Sequence, residues 1–333
     1  MKITSTIRRI ILTTLALTLA AASPMAFAAT PTTNSGQALE IGPPIVNLKG
    51  DPGSKVAAVI SLRDVSTAKL VVSNQINDFT AAGDGGTPKL LLNETTPGPN
   101  SIVPWITPLP QFTLVPQQIQ KLPLNLKIPA NAAPGGYYGV IRFSGQPPGI
   151  NSSGVSLSAS VGVLVFLRVN GTAKESMSIQ QFTTLGDNGK QNWLFEGIPV
   201  NLSVLVKNNG NLFEQPGGQA VVTDMFGKTI GAVEFNEGQN YVLPATARRF
   251  TEPLDNTIVS GKFLFGKYTA KLTVTYGDSQ QAVTSTLTFW IIPYRLIAAI
   301  IIALVALGLI IRFVLQRYRE NILRNTRGGS RRR

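Results

Sequence analysis

The residue types that most often carry catalysis are missing from this 333-residue sequence, which contains no histidine and no cysteine. Histidine is the commonest general base and a frequent metal ligand, and cysteine is a strong nucleophile. Ser-His-Asp triads, Cys-His pairs and HExxH zinc sites are therefore excluded. A carboxylate pair could still hydrolyse a glycoside, but the acidic residues are scattered singly and mostly lie in turn-forming segments. We predict a non-catalytic protein with no cofactor and no metal site.

Two tryptophans in the central part of the sequence are the candidate ligand-binding side chains. Trp105 lies in a proline-rich crossing, and Trp193 lies in the hairpin-like segment GDNGKQNWLFEG. Exposed aromatic rings stack on sugar faces, so either ring is a candidate platform for a glycan. The alternative, which is the commoner role, is that each ring fills a core or covers a sheet edge.

The most apolar stretch near the end of the chain, residues 289–315, predicts a transmembrane helix. Its uncharged part, Leu296–Ile311, is sixteen residues long, which is short of the roughly 20 that cross a bilayer. Arginines bracket this part, and because their long side chains reach the headgroups, the usable span is longer. The residues predicted at the membrane interface are Trp290, Tyr294, Arg295 and Arg312.

Positive charge is concentrated after this helix. Of a formal net charge of +13, residues 29–294 contribute little, with 18 Lys and Arg against 16 Asp and Glu, whereas residues 295–333 hold nine arginines and one glutamate. Since basic residues stay on the cytoplasmic side, residues 316–333 are predicted to form a basic cytoplasmic tail. The near-neutral central part argues against a nucleic-acid face, and the basic tail suits anionic lipid.

Residues 1–28 have the form of a signal peptide. A basic start precedes an apolar run over residues 10–22, and Ala26-Phe27-Ala28 has the small-x-small pattern of a signal-peptidase site. Cleavage is predicted between Ala28 and Ala29. An exported chain without cysteine suits a bacterial envelope. We therefore predict a single-pass plasma-membrane protein with an extracytoplasmic N-terminus and a cytoplasmic C-terminus.

Apolar residues recur with a period of two through most of the remaining chain, with the longest run at Val155–Val169. Gly- and Pro-rich turns separate such runs, which is typical of β-sandwiches. After a disordered spacer at 29–37 we predict a first β-sandwich domain at 38–170 and a second immunoglobulin-like one at 171–288. The predicted fold class is all-β, with two tandem immunoglobulin-like β-sandwich domains and one C-terminal transmembrane α-helix.

Each predicted domain has a glycine followed closely by tyrosine where a strand begins. These are Gly136-Tyr137 in the first domain and Gly266-Lys267-Tyr268 in the second. In immunoglobulin-like sandwiches a tyrosine in this place forms a corner, and its hydroxyl bonds to backbone upstream. We predict the same bonding here; the alternative is two unrelated tyrosines.

Three stretches carry a family resemblance: LNLKIPANAAPGGYYGVIRF, VKNNGNLFEQPGGQAVVTDMFGKTIG, and VLPATARRF leading into FGKYTAKLTVTYG. Together with the exported N-terminus and the C-terminal helix, they resemble the WxL-interacting proteins of Gram-positive bacteria. The resemblance implies two tandem immunoglobulin-like domains, the first binding peptidoglycan and the second binding a host or partner protein. It supplies no individual ligand residue.

These observations predict a membrane-anchored envelope protein that binds cell-wall polymer, such as peptidoglycan, or a surface-protein partner. The alternative is a chaperone-like or adhesin-like module that binds a protein partner by β-strand addition at an open sheet edge. An envelope hydrolase is disfavoured by the missing histidine.

The signal-peptide interpretation makes a direct prediction. The mature chain should begin at Ala29, because Ala26 and Ala28 supply the two small residues that signal peptidase requires. Mass spectrometry of the native N-terminus measures this, and a mature chain that still begins at Met1 would refute the prediction.

Overall fold

The computed structural model describes residues 39–92, 96–148, 159–259 and 264–328. The predicted signal peptide, its cleavage site between Ala28 and Ala29, and the spacer at 29–37 lie outside the described residues. As the sequence predicts, the fold is all-β, with two immunoglobulin-like sandwiches followed by one long apolar helix.

The first sandwich packs a three-stranded sheet, β1-β3-β7, against a sheet in the order β2-β9-β8-β4-β5, in which β6 also pairs with β4. A short 3₁₀ turn at Val103–Trp105 lies between β5 and β6. The strands are β1 (Leu39–Gly42), β2 (Ile45–Gly50), β3 (Lys55–Asp64), β4 (Leu70–Ala82), β5 (Thr87–Leu91), β6 (Phe112–Leu114), β7 (Ile119–Lys127), β8 (Gly135–Gln146) and β9 (Ala159–Val169).

The chain changes sheet between β1 and β2. β1 pairs antiparallel with β3, and β2 pairs parallel with β9. The intervening residues Pro43 and Pro44 have no backbone N–H to contribute to a ladder, which favours leaving one sheet at this point. As a result, β2 reaches only part of β9, since its first residue Ile45 is opposite Leu164.

The period-two pattern builds the first core as predicted. On β7 the apolar residues Leu122, Leu124 and Leu126 are buried and alternate with exposed neighbours. They face Phe143 of β8 and the odd-numbered residues of β9 in one apolar cluster. This alternation specifies a strand with one buried face and one solvent-exposed face.

The second sandwich packs a sheet in the order β10-β12-β15 against a five-stranded sheet in the order β11-β17-β16-β13-β14. A short helix α1 (Asn256–Val259) follows β15. The strands are β10 (Met177–Leu185), β11 (Leu194–Phe195), β12 (Val200–Asn208), β13 (Gly217–Thr223), β14 (Thr229–Phe235), β15 (Ala247–Leu254), β16 (Gly266–Tyr276) and β17 (Gln281–Ile291).

Both tyrosine corners form as predicted. The Tyr137 hydroxyl donates to the carbonyl of Ala133 at 2.9 Å. The Tyr268 hydroxyl accepts from the N–H of Phe265 at 2.9 Å and lies 3.4 Å from the carbonyl of the same residue. Each bond joins the beginning of a strand to the loop before it.

The junction between sandwich and helix differs from the predicted boundary at residue 289. Strand β17 continues to Ile291, and the helix α2 extends from Tyr294 to Gly328. Phe289 and Ile291 are fully buried in the second core, so they are strand residues and not part of a membrane span. The apolar run hides this boundary, because core residues of a final strand and lipid-facing residues of a helix are equally apolar.

Helix α2 is long and apolar enough to cross a membrane. Its segment Tyr294–Arg319 is 26 residues long and predominantly apolar, and none of its most apolar stretch is buried against the rest of the described protein. At about 1.5 Å per residue it spans about 39 Å, more than the roughly 30 Å of a hydrocarbon core. Only Ile292 and Pro293 separate β17 from this helix.

The strand boundary at Ile291 predicts where the two sandwiches can be separated from α2. A version ending at Pro293 should be markedly more stable than one ending at Thr288, which lacks the buried Phe289 and Ile291. Losing one buried side chain of this size costs about 2–5 kcal/mol, so the shorter version should lose several kcal/mol of unfolding free energy. Urea denaturation followed by circular dichroism compares the two, and equal midpoints would contradict the assignment of these residues to the core.

Candidate functional site

The outer edge of β9 is paired over only part of its length. β8 pairs with β9 along its whole length on one side, from Ala159 to Val169. On the other side β2 covers β9 only from Leu164 onward. Among the described residues, no strand pairs with the outer side of the five residues from Ala159 to Val163.

Strand geometry identifies the free backbone groups on this edge. The N–H of Leu164 donates to the carbonyl of Pro44 at 3.0 Å, so the backbone of Leu164 faces outward. Successive residues of a strand direct their N–H and C=O groups to opposite sides. Ser160 and Gly162 therefore present their N–H and C=O groups outward, and both residues are exposed.

The side chains of β9 divide between two apolar clusters. Val163, Val165, Leu167 and Val169 are buried in the sandwich core. On the opposite face Phe166 is 2% exposed, with Leu164 beside it in a second cluster. Among the described residues, both faces of β9 are thus covered near its C-terminal end, and its outer edge is unpaired near its N-terminal end.

The second cluster joins the two domains. The ring of Phe166 lies 4.5 Å from that of Tyr241 and 4.9 Å from that of Phe213, centroid to centroid, and both of these belong to the second domain. From the first domain, Phe79 is 6.0 Å from Phe166 in an edge-on arrangement. Such aromatic pairs contribute about 0.5–1.5 kcal/mol each beyond their buried area.

Polar contacts flank this aromatic cluster. The Tyr241 hydroxyl bonds to the side-chain oxygen of Asn47 on β2 at 3.0 Å. Arg249 on β15 pairs with Asp84 in the β4–β5 turn at 2.7 Å. The two domains are thus linked on both sides of Phe166, so the orientation of β9 relative to the second domain is fixed.

A cleft of about 540 Å³ lies beside the aromatic cluster, between the domains. The basic side chains of Lys49 and Arg168 come from directly paired positions on β2 and β9. Arg168 bonds to Glu175 of the interdomain segment at 3.4 Å and to Asp278 of the second domain at 2.8 Å. The ion pairs of Arg168 thus link the two domains along one side of the cleft.

Glu214 is the unusual acid of this cleft. It is 7% exposed, and its Oε2 accepts from the N–H of Gly277 at 3.2 Å. Its Oε1 is buried without a hydrogen-bond partner among the described residues. Burial, reinforced by the nearby negative charge of Glu175, raises the pKa of Glu214 to about 7.

The two predicted ligand platforms lie in different domains. Trp105 is half-buried, packs against the first core, and lies 4.4 Å from the ring of Tyr137, so it covers the edge of the core. Trp193 is 64% exposed at the end of the second domain where β17 ends. Its carbonyl accepts from the N–H of Trp290 at 2.7 Å. The structure does not bring Trp105 and Trp193 together into one binding surface.

Three of the four predicted interface residues lie at the helix junction. Trp290 lies in β17 and not in the helix, while Tyr294 and Arg295 are the first two residues of α2. Arg295 pairs with Glu196 at 3.2 Å. Arg312 lies inside the helix and is exposed.

Sequence reasoning identified β9 as a strand but missed its open edge. The signal is present in the even-numbered positions of the run, which are serine at 156, 158 and 160, glycine at 162, and then leucine at 164 and phenylalanine at 166. The change from polar to apolar coincides with the point where β2 and the second domain begin to cover the strand.

The raised pKa of Glu214 predicts a pH-dependent stability. The folded pKa of about 7 lies above the ordinary value of 4.5, so the folded state binds more protons and loses stability as pH rises through that interval. Glu214→Gln, which cannot ionise, should therefore raise the unfolding free energy at about pH 8 by about 1–2 kcal/mol, allowing for the open side of the cleft. At about pH 5 it should change little.

Thermal or urea denaturation at the two pH values measures this difference. Glu234→Gln, at an exposed position on β14, is the matched control and should show no such pH dependence. Equal effects of Glu214→Gln at both pH values would contradict a charge-based penalty.

No protein-family model and no curated protein matches this chain. Among solved structures, it is similar to the E. coli chaperone DraB, with 17% identity and a TM-score of 0.35, over 76% of this chain and 97% of that one. It is similar to the class 5 fimbriae chaperone CfaA, with 12% identity and a TM-score of 0.40, over 74% and 98%. A third is the Salmonella enterica SafB chaperone, in complex with the SafA pilin, with 14% identity and a TM-score of 0.34, over 76% and 96%. At these identities the likeness concerns the immunoglobulin-like β-sandwich fold alone.

Proposed function

We propose that this protein is a non-catalytic, membrane-anchored envelope protein that binds a protein partner by β-strand addition at the outer edge of β9. The observation that carries the proposal is the unpaired outer edge over Ala159–Val163, among the described residues. An extended segment that pairs there satisfies the free N–H and C=O groups of Ser160 and Gly162. Main-chain hydrogen bonds then supply affinity, and side-chain pockets supply specificity.

The side chains along this edge support strand addition. Val163 is fully buried and Val161 is partly buried against the first core. A partner strand beside them would place its own alternate side chains against the same core. The sequence continues the period-two pattern upstream through Val155 and Leu157, which lie outside the described residues.

The position of the edge suits a protein that holds its partner away from the membrane. β9 runs from Ala159 toward the second domain, and the second domain ends in α2. The open part of β9 is therefore at the far end of the first domain from the helix. In this proposal α2 crosses the plasma membrane once, with both sandwiches outside and the basic tail in the cytoplasm.

A second partly paired edge, that of β17, provides a control for the proposal. β11 pairs with β17 only at Trp290 and Ile291, so the earlier part of β17 has no partner on that side among the described residues. Because the N–H of Trp290 faces β11, the even-numbered residues of β17, including Thr286, face the same way. Its exposed residues are mostly polar, and we assign partner binding to β9.

Proline substitution tests the assignment. Ser160→Pro removes the outward N–H of the β9 edge and should weaken partner binding about tenfold or more, since one such hydrogen bond is worth about 0.5–1.5 kcal/mol and the ring also obstructs pairing. Ser160→Ala keeps the N–H and should bind normally. Thr286→Pro makes the same change on the second edge and should also bind normally.

The partner is first identified by a photo-crosslinking amino acid at position 160 of the full-length protein in its own cells. A synthetic peptide of the crosslinked segment then serves as the binding probe, and hydrogen exchange should show protection of the Ser160 and Gly162 amides. Protection confined to β17, or unchanged binding by Ser160→Pro, would refute the proposal.

Binding of a cell-wall polymer such as peptidoglycan stays a prediction, as does membership of the WxL-interacting family. Co-sedimentation of the full-length protein with purified sacculi tests the polymer interpretation. Trp193→Ala is the informative variant, because this ring is exposed whereas Trp105 packs on the core.

A further inference from the structure

The exposed aromatic side chains of the two domains are confined to one end of the molecule. Among the described residues before α2, the aromatic side chains classed as exposed are Trp193, Phe226, Phe265 and Trp290. Met225, at 48% exposed, lies beside Phe226. We call these five residues the aromatic patch.

The patch is contiguous through backbone pairing. Trp290 bonds to the carbonyl of Trp193 and is paired across the sheet with Lys267. The neighbouring Gly266 is paired with Ile291 and follows Phe265 directly. The methyl group of Met225 occupies the place where a side chain on Gly266 would be.

Rigid local structure holds the patch residues outward. Phe226 is 86% exposed at the tip of the β13–β14 turn. There the Asp224 carboxylate accepts from the N–H groups of Phe226 and Lys228, both at 2.9 Å. Phe265 is held by the tyrosine corner of Tyr268. Large apolar side chains that such turns hold exposed to water mark a site where the domain contacts a protein or a membrane.

The patch is at the end of the second domain from which α2 departs. β17 ends at Ile291 and α2 begins at Tyr294, so three Cα–Cα steps join them and they are at most about 11 Å apart. The headgroup layer of each leaflet is about 5–8 Å thick. The short connection therefore brings the loops that carry the patch close to headgroup level when the helix crosses the bilayer.

We propose that the aromatic patch inserts into the headgroup layer of the membrane and seats the second domain directly on the bilayer surface. This inference rests on the proposed membrane crossing of α2. Amphipathic and aromatic rings favour the interface between water and hydrocarbon, where Trp290 and Tyr294 are already placed by the helix. Contact at Trp193, Phe226 and Phe265 adds three further points around the helix and fixes the tilt of the ectodomain.

The chain is suited to a labelling test because it contains no cysteine. Full-length Phe226→Cys carries an environment-sensitive fluorophore and is reconstituted in vesicles of phosphatidylcholine and phosphatidylglycerol. Ile119→Cys, at an exposed apolar position on β7 of the first domain, is the matched control. Leu304→Cys, in the middle of α2, reports whether the helix is inserted.

The label at 226 should lose fluorescence to a nitroxide on the lipid headgroup and be shielded from aqueous iodide. The label at 119 should show the opposite behaviour, and the label at 304 should be quenched by a nitroxide on the lipid chain. Trp193→Cys should repeat the result for 226 and guards against a local effect of one substitution.

Three outcomes would overturn the inference in distinguishable ways. If 304 is quenched in the chain region but 226 is as open to iodide as 119, the helix is inserted and the patch does not touch lipid. If 226 is shielded from both iodide and lipid nitroxide, protein covers the patch. If 304 is not quenched by chain nitroxide, the membrane crossing itself fails.

Discussion

The packing of Phe166 between the two domains is the interaction on which the rest of the arrangement depends. Its ring contacts Tyr241 and Phe213 of the second domain, while the neighbouring residues of β9 fill the first core. One strand therefore belongs to both the first sandwich and the interdomain contact. Because β9 also carries the open edge, the position and direction of that edge are fixed relative to the second domain and to the helix that follows it.

The regular features of the fold could be predicted from sequence because they follow from local rules. Period-two alternation specifies strands with one buried face, as on β7, and glycine-tyrosine pairs mark both corners. The helix junction could not be placed, because Phe289 is equally apolar whether it faces a core or lipid. The covering of β9 could not be predicted either. Its alternation indicates one buried face, whereas Phe166 is buried on the opposite face.

The candidate sites depend on contacts between residues far apart in the chain, and this is why sequence reasoning found them only in part. Trp105 and Trp193 are similar as residue types, yet one covers a core and the other extends from a loop beside the helix. The raised pKa of Glu214 requires Glu175, 39 positions earlier in the numbering, to fold against it. The spacing of residues in the sequence does not show that Glu175 and Glu214 lie close together. In β9, by contrast, the change from polar to apolar residues does show where the second face becomes buried.

The direct passage of β17 into α2 has a mechanical consequence. If a partner binds β9 and α2 crosses a membrane, as proposed, a pull between the two reaches the second domain through Ile292 and Pro293, along the axis of β17. The eleven residue pairs that join β17 to β16 then bear the load together in shear, since their hydrogen bonds lie across the direction of force. Bonds loaded side by side fail only when many break at once, whereas bonds opened from one end break in succession. The strand that joins the second domain to α2 is thus loaded in its stronger direction.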